Sequence, residues 1–299
     1  MKLATTTSDF AKYTPSPIKA LEYIREAGFK YVDYSFCSDY EEKRGFFAED
    51  YNTYIKKLKA KLCELGVKLV QAHAPMGAPI ADDNAAFIED TKKCIRACGE
   101  LGIPNIVVHS GYKKGLSREE TFAENKKFFL ALYETAEECG VDLLVENFNK
   151  MCVEGMYWID NARDLIDFIK YADCPRLHAV WDVGHGNMQE LAQDEAIKIL
   201  GSELRALHVQ DNDGDADLHM FPLLGTTNID SLMNGLIDSG YNGYFTLESF
   251  RFILPIRKKR PYAKDSRLDM PTLDLKRKSE ELLYEIGKFI LTSYNCFEE

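Results

Sequence analysis

Short runs of apolar and β-branched residues alternate along the chain with longer segments whose apolar residues recur at helical spacing. The runs predict eight strands, at Lys2–Thr6, Tyr31–Ser35, Lys68–Ala72, Asn105–His109, Asp142–Glu146, His178–Asp182, Ala206–Gln210 and Tyr244–Glu248. The segments predict eight helices, at Ile18–Ala27, Ala48–Leu65, Asp83–Leu101, Arg118–Cys139, Asn161–Tyr171, Asp194–Leu200, Ile229–Ser239 and Asp274–Leu291. Strict alternation requires a parallel sheet, and eight units in 299 residues favour a closed barrel over an open doubly wound sheet. We therefore predict an α/β fold, a (β/α)₈ TIM barrel, with residues 1–299 in one domain.

Two connections are longer than the barrel needs. Phe36–Phe47, after the second strand, is acidic, whereas Ser249–Thr272, after the eighth, carries the basic run Arg257–Arg260. Connections that follow barrel strands lie at the C-terminal face, where they often carry function. Both segments are therefore placed to cover a substrate, and the basic run has a solvated loop as its alternative. Glycine follows several predicted helices, as expected at a left-handed helix end, namely at Gly28, Gly66, Gly102, Gly140 and Gly240.

Composition narrows the class of protein. The chain is 45% hydrophobic and 28% charged, which is ordinary for a soluble globular protein with a large core. Its net charge of -11 disfavours nucleic-acid partners, because it would repel a phosphate backbone. The chain has no apolar run long enough for a signal peptide or a membrane span, and its eight cysteines form no C-x-x-C pair. These features predict a cytoplasmic protein whose cysteines are small core residues.

Potential metal ligands lie at or just beyond the C-terminal ends of six consecutive predicted strands, from the third to the eighth. They are His73, His109, Glu146, Asp182 with His185, His208 and Glu248. Any one of them has a structural explanation, since a lone buried histidine is usually a hydrogen-bonded core residue. The carboxyl ends of barrel strands converge on one axis, so six in succession predict a single cluster.

The ligand types indicate the ion. Carboxylates with imidazoles and no thiolate suit Mn²⁺, Zn²⁺, Fe²⁺ or Co²⁺. Carboxylates brought together repel one another, and a divalent cation removes that penalty. Asp217 and His219 lie two residues apart after the seventh strand, so in an extended loop they point the same way. They would reach a second metal or a substrate, or else belong to a polar loop.

The motifs around these residues resemble those of the xylose isomerase-like barrel superfamily, namely His73-Ala74-Pro75, Val108-His109-Ser110-Gly111, Val145-Glu146-Asn147, Asp182-Val183-Gly184-His185, Leu207-His208-Val209-Gln210-Asp211 and Leu247-Glu248-Ser249. The superfamily includes sugar and sugar phosphate isomerases and epimerases, and also endonuclease IV. The isomerases imply one metal, held by Glu146, Asp182, His208 and Glu248. Endonuclease IV implies three zinc ions, whose ligands would also include His73, His109, His185, Asp217 and His219. We therefore expect one to three divalent ions per chain, Mn²⁺ or Zn²⁺, with Co²⁺ as an alternative.

The resemblance implies a metal-dependent sugar isomerase or epimerase. In that reaction Glu146 and Glu248 exchange a proton with the substrate through a metal-stabilised enediolate, and His185 holds a substrate oxygen or a second metal. Trp181 and Phe148 either pack against the sugar or belong to the core. The expected partner is a small sugar or sugar phosphate, and a phosphate would need nearby cations, for which Arg251, Arg257 and Lys258 are candidates. A homo-oligomer and a monomer are both compatible with the sequence.

Three alternatives stay open. A multi-zinc phosphodiesterase like endonuclease IV would need loops that enter the minor groove, but Ala74–Pro79 after His73 is small and uncharged. A metal-dependent lyase or hydrolase acting on glycosides would use related chemistry. A binding barrel without catalysis is the third, although no expected ligand is missing.

Overall fold

The computed structural model describes residues 1–14, 16–149, 155–189, 191–252 and 270–299. It contains eight strands: β1 Lys2–Thr6, β2 Tyr31–Ser35, β3 Lys68–His73, β4 Asn105–Val108, β5 Asp142–Glu146, β6 Leu177–Asp182, β7 Leu204–His208 and β8 Tyr244–Leu247. The sheet order is β7-β6-β5-β4-β3-β2-β1-β8, and all its strand pairs are parallel. Val209 joins the two ends, because its N–H donates to Thr246 O at 2.7 Å and its carbonyl accepts from Glu248 N at 2.9 Å. The predicted (β/α)₈ TIM barrel is confirmed.

Ten helices lie in the described part of the chain: α1 Pro17–Glu26, α2 Cys37–Glu41, α3 Tyr51–Leu65, α4 Ala85–Leu101, α5 Arg118–Cys139, α6 Ala162–Ala172, α7 Val183–Asn187, α8 Gln193–Leu200, α9 Ile229–Asp238 and α10 Leu273–Ser293. The eight predicted helices correspond to the eight longer ones. Gly102 and Gly140 end α4 and α5 with φ of 70° and 65°, as predicted. No helix among the described residues is long and apolar enough to cross a membrane.

Three local features differ from the prediction. The long connection after β2 contains α2 and the 3₁₀ turn Gly45–Phe47, and its buried Asp39 accepts hydrogen bonds from Tyr34 and Arg44. The short helix α7 begins directly after β6, because the Asp182 side chain accepts from His185 N at 2.6 Å and caps it. Strand β7 ends at His208, two residues before the predicted end. Of the connection after β8, Arg257 and Lys258 lie outside the described residues.

The lower part of the barrel is closed by a separate apolar cluster, made of Val107, Leu144, Val180 and Ala206. These residues come from four adjacent strands, β4 to β7; Val107 pairs in register with Leu144, and Val180 with Ala206. Successive side chains of a strand point to opposite faces, so the residue two positions further along each strand lies on the same face, one layer higher. The cluster therefore forms the floor on which the next layer of side chains rests.

Candidate metal centre

Four predicted ligands form that next layer. His109, Glu146, Asp182 and His208 each follow a floor residue by two positions. Glu248 likewise follows the buried Thr246 of β8 by two positions. The strand period therefore brings side chains from five strands to the C-terminal end of the barrel. His178, at the start of β6, points elsewhere and pairs with Glu203 at 2.6 Å.

One set of four residues, called here the inner group, consists of Glu146, Asp182, His208 and Glu248. A donor atom of each lies within 4.8 Å of the others. His208 Nδ1 lies 2.7 Å from Glu146 Oε1 and 3.5 Å from Glu248 Oε2. Three carboxylates thus surround one imidazole in a buried space. A divalent cation would neutralise this charge, and the ligand types match those of Mn²⁺, Co²⁺ and Zn²⁺.

Glu146 also connects the inner group to two further histidines. Its Oε2 lies 2.7 Å from His109 Nε2 and 3.7 Å from His73 Nε2. Burial alone would raise the pKa of Glu146, but the attraction of His208 and hydrogen bonds from the histidines outweigh it, so this pKa lies well below its usual value. Glu146 is therefore held as a carboxylate in contact with three imidazoles.

Asp182 is a carboxylate of the inner group with one oxygen left unpartnered in the part of the chain that the structure describes. Its Oδ1 accepts from His185 N and, at 3.3 Å, from Gln210 Nε2. Its Oδ2 is buried and has no hydrogen-bond partner among the described residues. Burial raises the pKa of Asp182 to about 7; His185 opposes this shift, while Glu146 and Glu248 add to it. A cation bound by the inner group would supply the missing partner, so the residues present fit a metal.

The opposite nitrogen of His208 is held by residues that the sequence analysis missed. His208 Nε2 lies 3.1 Å from Asp33 Oδ2, which also accepts from Gln71 Nε2 at 2.7 Å. Asp33 and Gln71 are 1% and 2% exposed and lie on β2 and β3. A carboxylate behind a histidine fixes the ring and leaves its other nitrogen directed at a metal. Polar residues within otherwise buried strands were the available signal.

A second set, called here the outer group, consists of His185, Asp217 and His219. Asp217 lies between the two rings, with Oδ2 3.4 Å from His185 Nε2 and Oδ1 3.2 Å from His219 Nε2. The Nδ1 atoms of the two rings face backbone oxygens, of Asn147 at 2.8 Å and of Glu248 at 2.9 Å. The outer group therefore directs two imidazole nitrogens and a carboxylate at one point.

The electrostatics of the outer group differ from those of the inner one. Burial would lower the pKa of both histidines, but the carboxylates of Asp182 and Asp217 outweigh it, so that the pKa of His185 rises to about 10 and that of His219 to about 9. Burial would raise the pKa of Asp217, and the two histidines instead bring it far below its usual value. Without a metal, the outer group is therefore a carboxylate between two imidazolium ions.

A cavity of about 340 Å³ opens above both groups. Its lining includes His73, His109, Glu146, His185, Asp217, His219 and Glu248, so seven of the nine predicted ligands contact it. Asp182 and His208 lie beneath them, fully buried. Phe148 and Arg251 also line the cavity, whereas Trp181 is a core residue whose indole N–H donates to Gln193 at 2.8 Å. The structure thus brings all nine predicted residues together.

The family model described as a xylose isomerase-like TIM barrel matches residues 21–268. Fructoselysine 3-epimerase of Escherichia coli is 34% identical over 122 residues, which are 39% of this chain and 42% of that protein. D-psicose 3-epimerase of Ruminiclostridium cellulolyticum is 28% identical over 139 residues, 46% and 45% of the two chains. The matched part of the chain spans about two fifths of the length of the first of these curated relatives.

Solved structures resemble the whole barrel. D-psicose 3-epimerase from Clostridium cellulolyticum, determined with D-tagatose, has a TM-score of 0.74 at 20% identity and covers 97% of this chain and 99% of its own. The 3-keto-D-glucoside 4-epimerase of Escherichia coli has a TM-score of 0.72 at 18% identity, and the match covers 95% of this chain and 99% of that protein. At these identities the likeness shows the fold. Since the family model spans most of the chain, the protein belongs to the xylose isomerase-like TIM barrel family.

Proposed function

We propose that this protein is a divalent-metal-dependent sugar epimerase that moves a proton at the carbon next to the carbonyl of a ketose. The observation that carries the proposal is the position of two carboxylates. Glu146 and Glu248 come from β5 and β8, line one cavity and approach the same nitrogen of His208. The names of the curated relatives, 3-epimerases of fructoselysine and of psicose, support epimerisation over aldose–ketose isomerisation.

Glu146, Asp182, His208 and Glu248 would hold the metal. When bound, the ion would polarise the carbonyl and offset the negative charge that develops as the proton leaves. Mn²⁺, Co²⁺ and Zn²⁺ all suit this ligand set. The buried Oδ2 of Asp182, which has no hydrogen-bond partner among the described residues, supports a metal site at the inner group.

The two carboxylates would carry the proton. One takes it from the carbon, whose bonding electrons move to form the enediolate of the sugar, and the carboxyl group on the other side returns a proton to the opposite face. Inversion at carbon requires access from two sides, which groups on β5 and β8 provide. His185 would hold a substrate oxygen, since its Nε2 faces the cavity beside Asp217.

A second candidate is hydrolysis at a multi-zinc site. It rests on the convergence of all nine residues, including His73, His109 and the outer group, which in the resemblance hold three zinc ions. The surroundings favour the sugar, because the segment after His73 is small and uncharged and the ligands line a cavity rather than an open groove. A sugar phosphate as substrate would place its phosphate near Arg251, which lines the cavity.

Metal content per chain, measured by elemental analysis of protein purified without added metal, tests the proposal. Glu146→Gln and Glu248→Gln serve as variants. Glu203→Gln is the matched control, because Glu203 also contacts a histidine but at the other end of β6. About one ion per chain, lost in both variants and kept in the control, together with solvent deuterium entering a ketose, supports the epimerase. Three zinc ions without exchange would favour hydrolysis, and no binding after metal addition would refute both.

A further inference from the structure

One buried side chain lies between the inner and outer groups, and the proposed reaction does not use it. Gln210 follows His208 by two positions, so its side chain lies on the same face of the chain, one layer above that ligand. It is 0% exposed and does not line the cavity. Gln210 is therefore buried beside the ligands and out of reach of a substrate.

The amide of Gln210 donates to one carboxylate of each group. Its Nε2 lies 3.3 Å from Asp182 Oδ1, in the inner group, and 2.9 Å from Asp217 Oδ1, in the outer group. An amide nitrogen carries two hydrogens, so it can serve both oxygens at once. Asp182 Oδ1 also accepts from His185 N. The donors thus hold one oxygen of Asp182 and leave Oδ2, which has no partner among the described residues, for an ion.

On the outer side, Gln210 fixes a carboxylate that lies on a connection. Asp217 follows β7, and its Oδ2 lies 3.4 Å from His185 Nε2 and accepts from Asn149 Nδ2 at 3.2 Å. Gln210 donates to the other oxygen, so Asp217 is held from both sides. Gln210 thus joins Asp182, which would face the ion, to the carboxylate beside the histidine that would hold a substrate oxygen.

The fold leaves space for this amide at a glycine. Gly184 lies on α7, and a β-carbon there would lie between 2.1 and 2.3 Å from the amide atoms of Gln210. Helices disfavour glycine, and Gly184 does not have a positive φ, so the backbone conformation does not require it. The volume of the Gln210 side chain does require it. The residues at positions 184 and 210 are therefore matched to each other.

Packing alone does not explain a glutamine at this position. Gln210 Oε1 is buried and has no hydrogen-bond partner in the described part of the chain, and an unpaired buried carbonyl costs free energy. Methionine has nearly the same length and would fill the space without that cost. Donation from Nε2 to two carboxylates gives the glutamine a function that offsets it.

We propose that Gln210 is a positioning residue that couples the inner group to the outer one. It keeps Asp182 Oδ2 directed at the ion and holds Asp217, with His185 beside it, at a fixed place relative to that ligand. The carbonyl of the ketose and the oxygen held by His185 are thereby aligned for proton exchange with the two glutamates. The proposal rests on the proposed function, to which it adds a residue that neither contacts the substrate nor binds the ion.

The test uses Gln210→Met, with Mn²⁺ as the ion and a panel of ketoses that includes D-fructose and D-tagatose. Mn²⁺ affinity, measured by chelator competition, should fall about tenfold, as is typical when a metal ligand loses its hydrogen-bond partner. At saturating Mn²⁺, the kcat for solvent deuterium exchange should still be about tenfold lower, with KM within about threefold, because the ion is bound but the substrate is misaligned.

Two further variants isolate the effect of the amide. Gly184→Ala keeps every donor and acceptor and displaces the amide, which is the movable end of its side chain, so Mn²⁺ affinity and kcat should fall as in Gln210→Met. It also provides the test if Gln210→Met does not fold. Gln193→Met is the control, because it removes another buried amide, which hydrogen-bonds to Trp181 and Val183 outside both groups. It should leave both values within about threefold.

The outcomes separate this proposal from the proposed function. Unchanged Mn²⁺ affinity in Gln210→Met, or equal losses in Gln193→Met, would overturn the role of Gln210. Lower affinity with a kcat fully restored by excess Mn²⁺ would confine Gln210 to the inner group and refute the coupling. If the unmodified protein exchanges no ketose, the proposed function fails, whereas lower Mn²⁺ affinity in both Gln210→Met and Gly184→Ala would still support the positioning of Asp182.

Discussion

The inner and outer groups contain the same residue types but in opposite proportions of carboxylate to imidazole. The inner group sets three carboxylates around one imidazole and leaves Asp182 Oδ2 without a partner. The outer group sets one carboxylate between two imidazoles, which it holds protonated. In the inner group a metal would relieve repulsion among three carboxylates and displace one proton, from His208. Although burial opposes it, the attraction of Glu248 and Glu146 raises the pKa of that ring well above its usual value. In the outer group a metal must displace protons from two imidazoles with one carboxylate to attract it. We therefore propose the inner group as the principal metal site and the outer group as an auxiliary one.

The two groups also differ in how firmly the backbone holds their side chains. Three of the inner ligands are the last residues of β5, β6 and β7, and His208 is held from behind by Asp33. Of the outer ligands, His185 lies on the short helix α7, and Asp217 and His219 lie on the connection after β7. His219 has a φ of 47°, a left-handed conformation that costs a non-glycine residue energy. Rigid strands thus hold the inner ligands, while the outer ones depend on a strained loop.

The largest effect should come from Glu146→Gln. Glu146 contacts His73, His109 and His208, so its loss removes a ligand and the partner of three rings. We expect the inner metal to bind at least about a hundredfold more weakly, beyond the range typical of an outer-shell partner, and exchange activity to be lost. Competition with a chromogenic chelator measures the affinity, with Glu203→Gln as control. Unchanged affinity would mean that the inner group is not the principal site.

Asp33→Asn should have the next largest effect. The substituted side chain is an uncharged amide, so it accepts a weaker hydrogen bond from His208 Nε2. The ring therefore loses basicity and its fixed orientation. We expect metal affinity to fall by about tenfold to a hundredfold, with activity restored by excess metal. Asp39→Asn is the control for loss of a buried carboxylate elsewhere. Activity lost with full metal occupancy would show that Asp33 acts in some other way.

The pH dependence of stability should distinguish the two groups. The folded-state pKa values of His219 and His185, about 9 and about 10, exceed the usual 6.5, so their contribution to stability is complete below pH 6.5 and is lost as pH rises through those values. In chelator, the unfolding midpoint should therefore fall between pH 6.5 and 9. One equivalent of metal, bound by the inner group, should remove the part of this slope that comes from His208, whose pKa is also raised well above its usual value, and leave the part from His185 and His219. Excess metal should flatten the rest. A slope already absent in chelator would contradict the protonated outer group.

The sequence predicted the positions of the candidate ligands better than those of the residues that support them, for a physical reason. Residues at strand ends are placed by the strand period and by barrel closure, so alternation alone predicts that Glu146, Asp182, His208 and Glu248 lie at one end of the barrel. Asp33 and Gln71 contact His208 across the barrel interior, a pairing that depends on strand tilt and register, including the irregularity between Val32 and Asp33. The contacts of Gln210 with Asp182 and Asp217 likewise depend on where the connection after β7 lies, and no spacing in the sequence predicts them.

The smallest effect on the inner metal should come from Asp217→Asn. Asp217 contacts His185 and His219 but, within the part of the chain described, is not in the group that contains His208. Its loss should lower the pKa of both histidines, reduce the pH slope in chelator, and remove any second ion. The inner metal should bind less than about tenfold more weakly, because Asp217 reaches the inner group through Gln210, which donates to both Asp182 and Asp217. Elemental analysis and chelator competition on the same sample measure both quantities. A drop in inner affinity comparable to that of Glu146→Gln would show that the two groups form one cooperative centre, and the distinction between them would have to be given up.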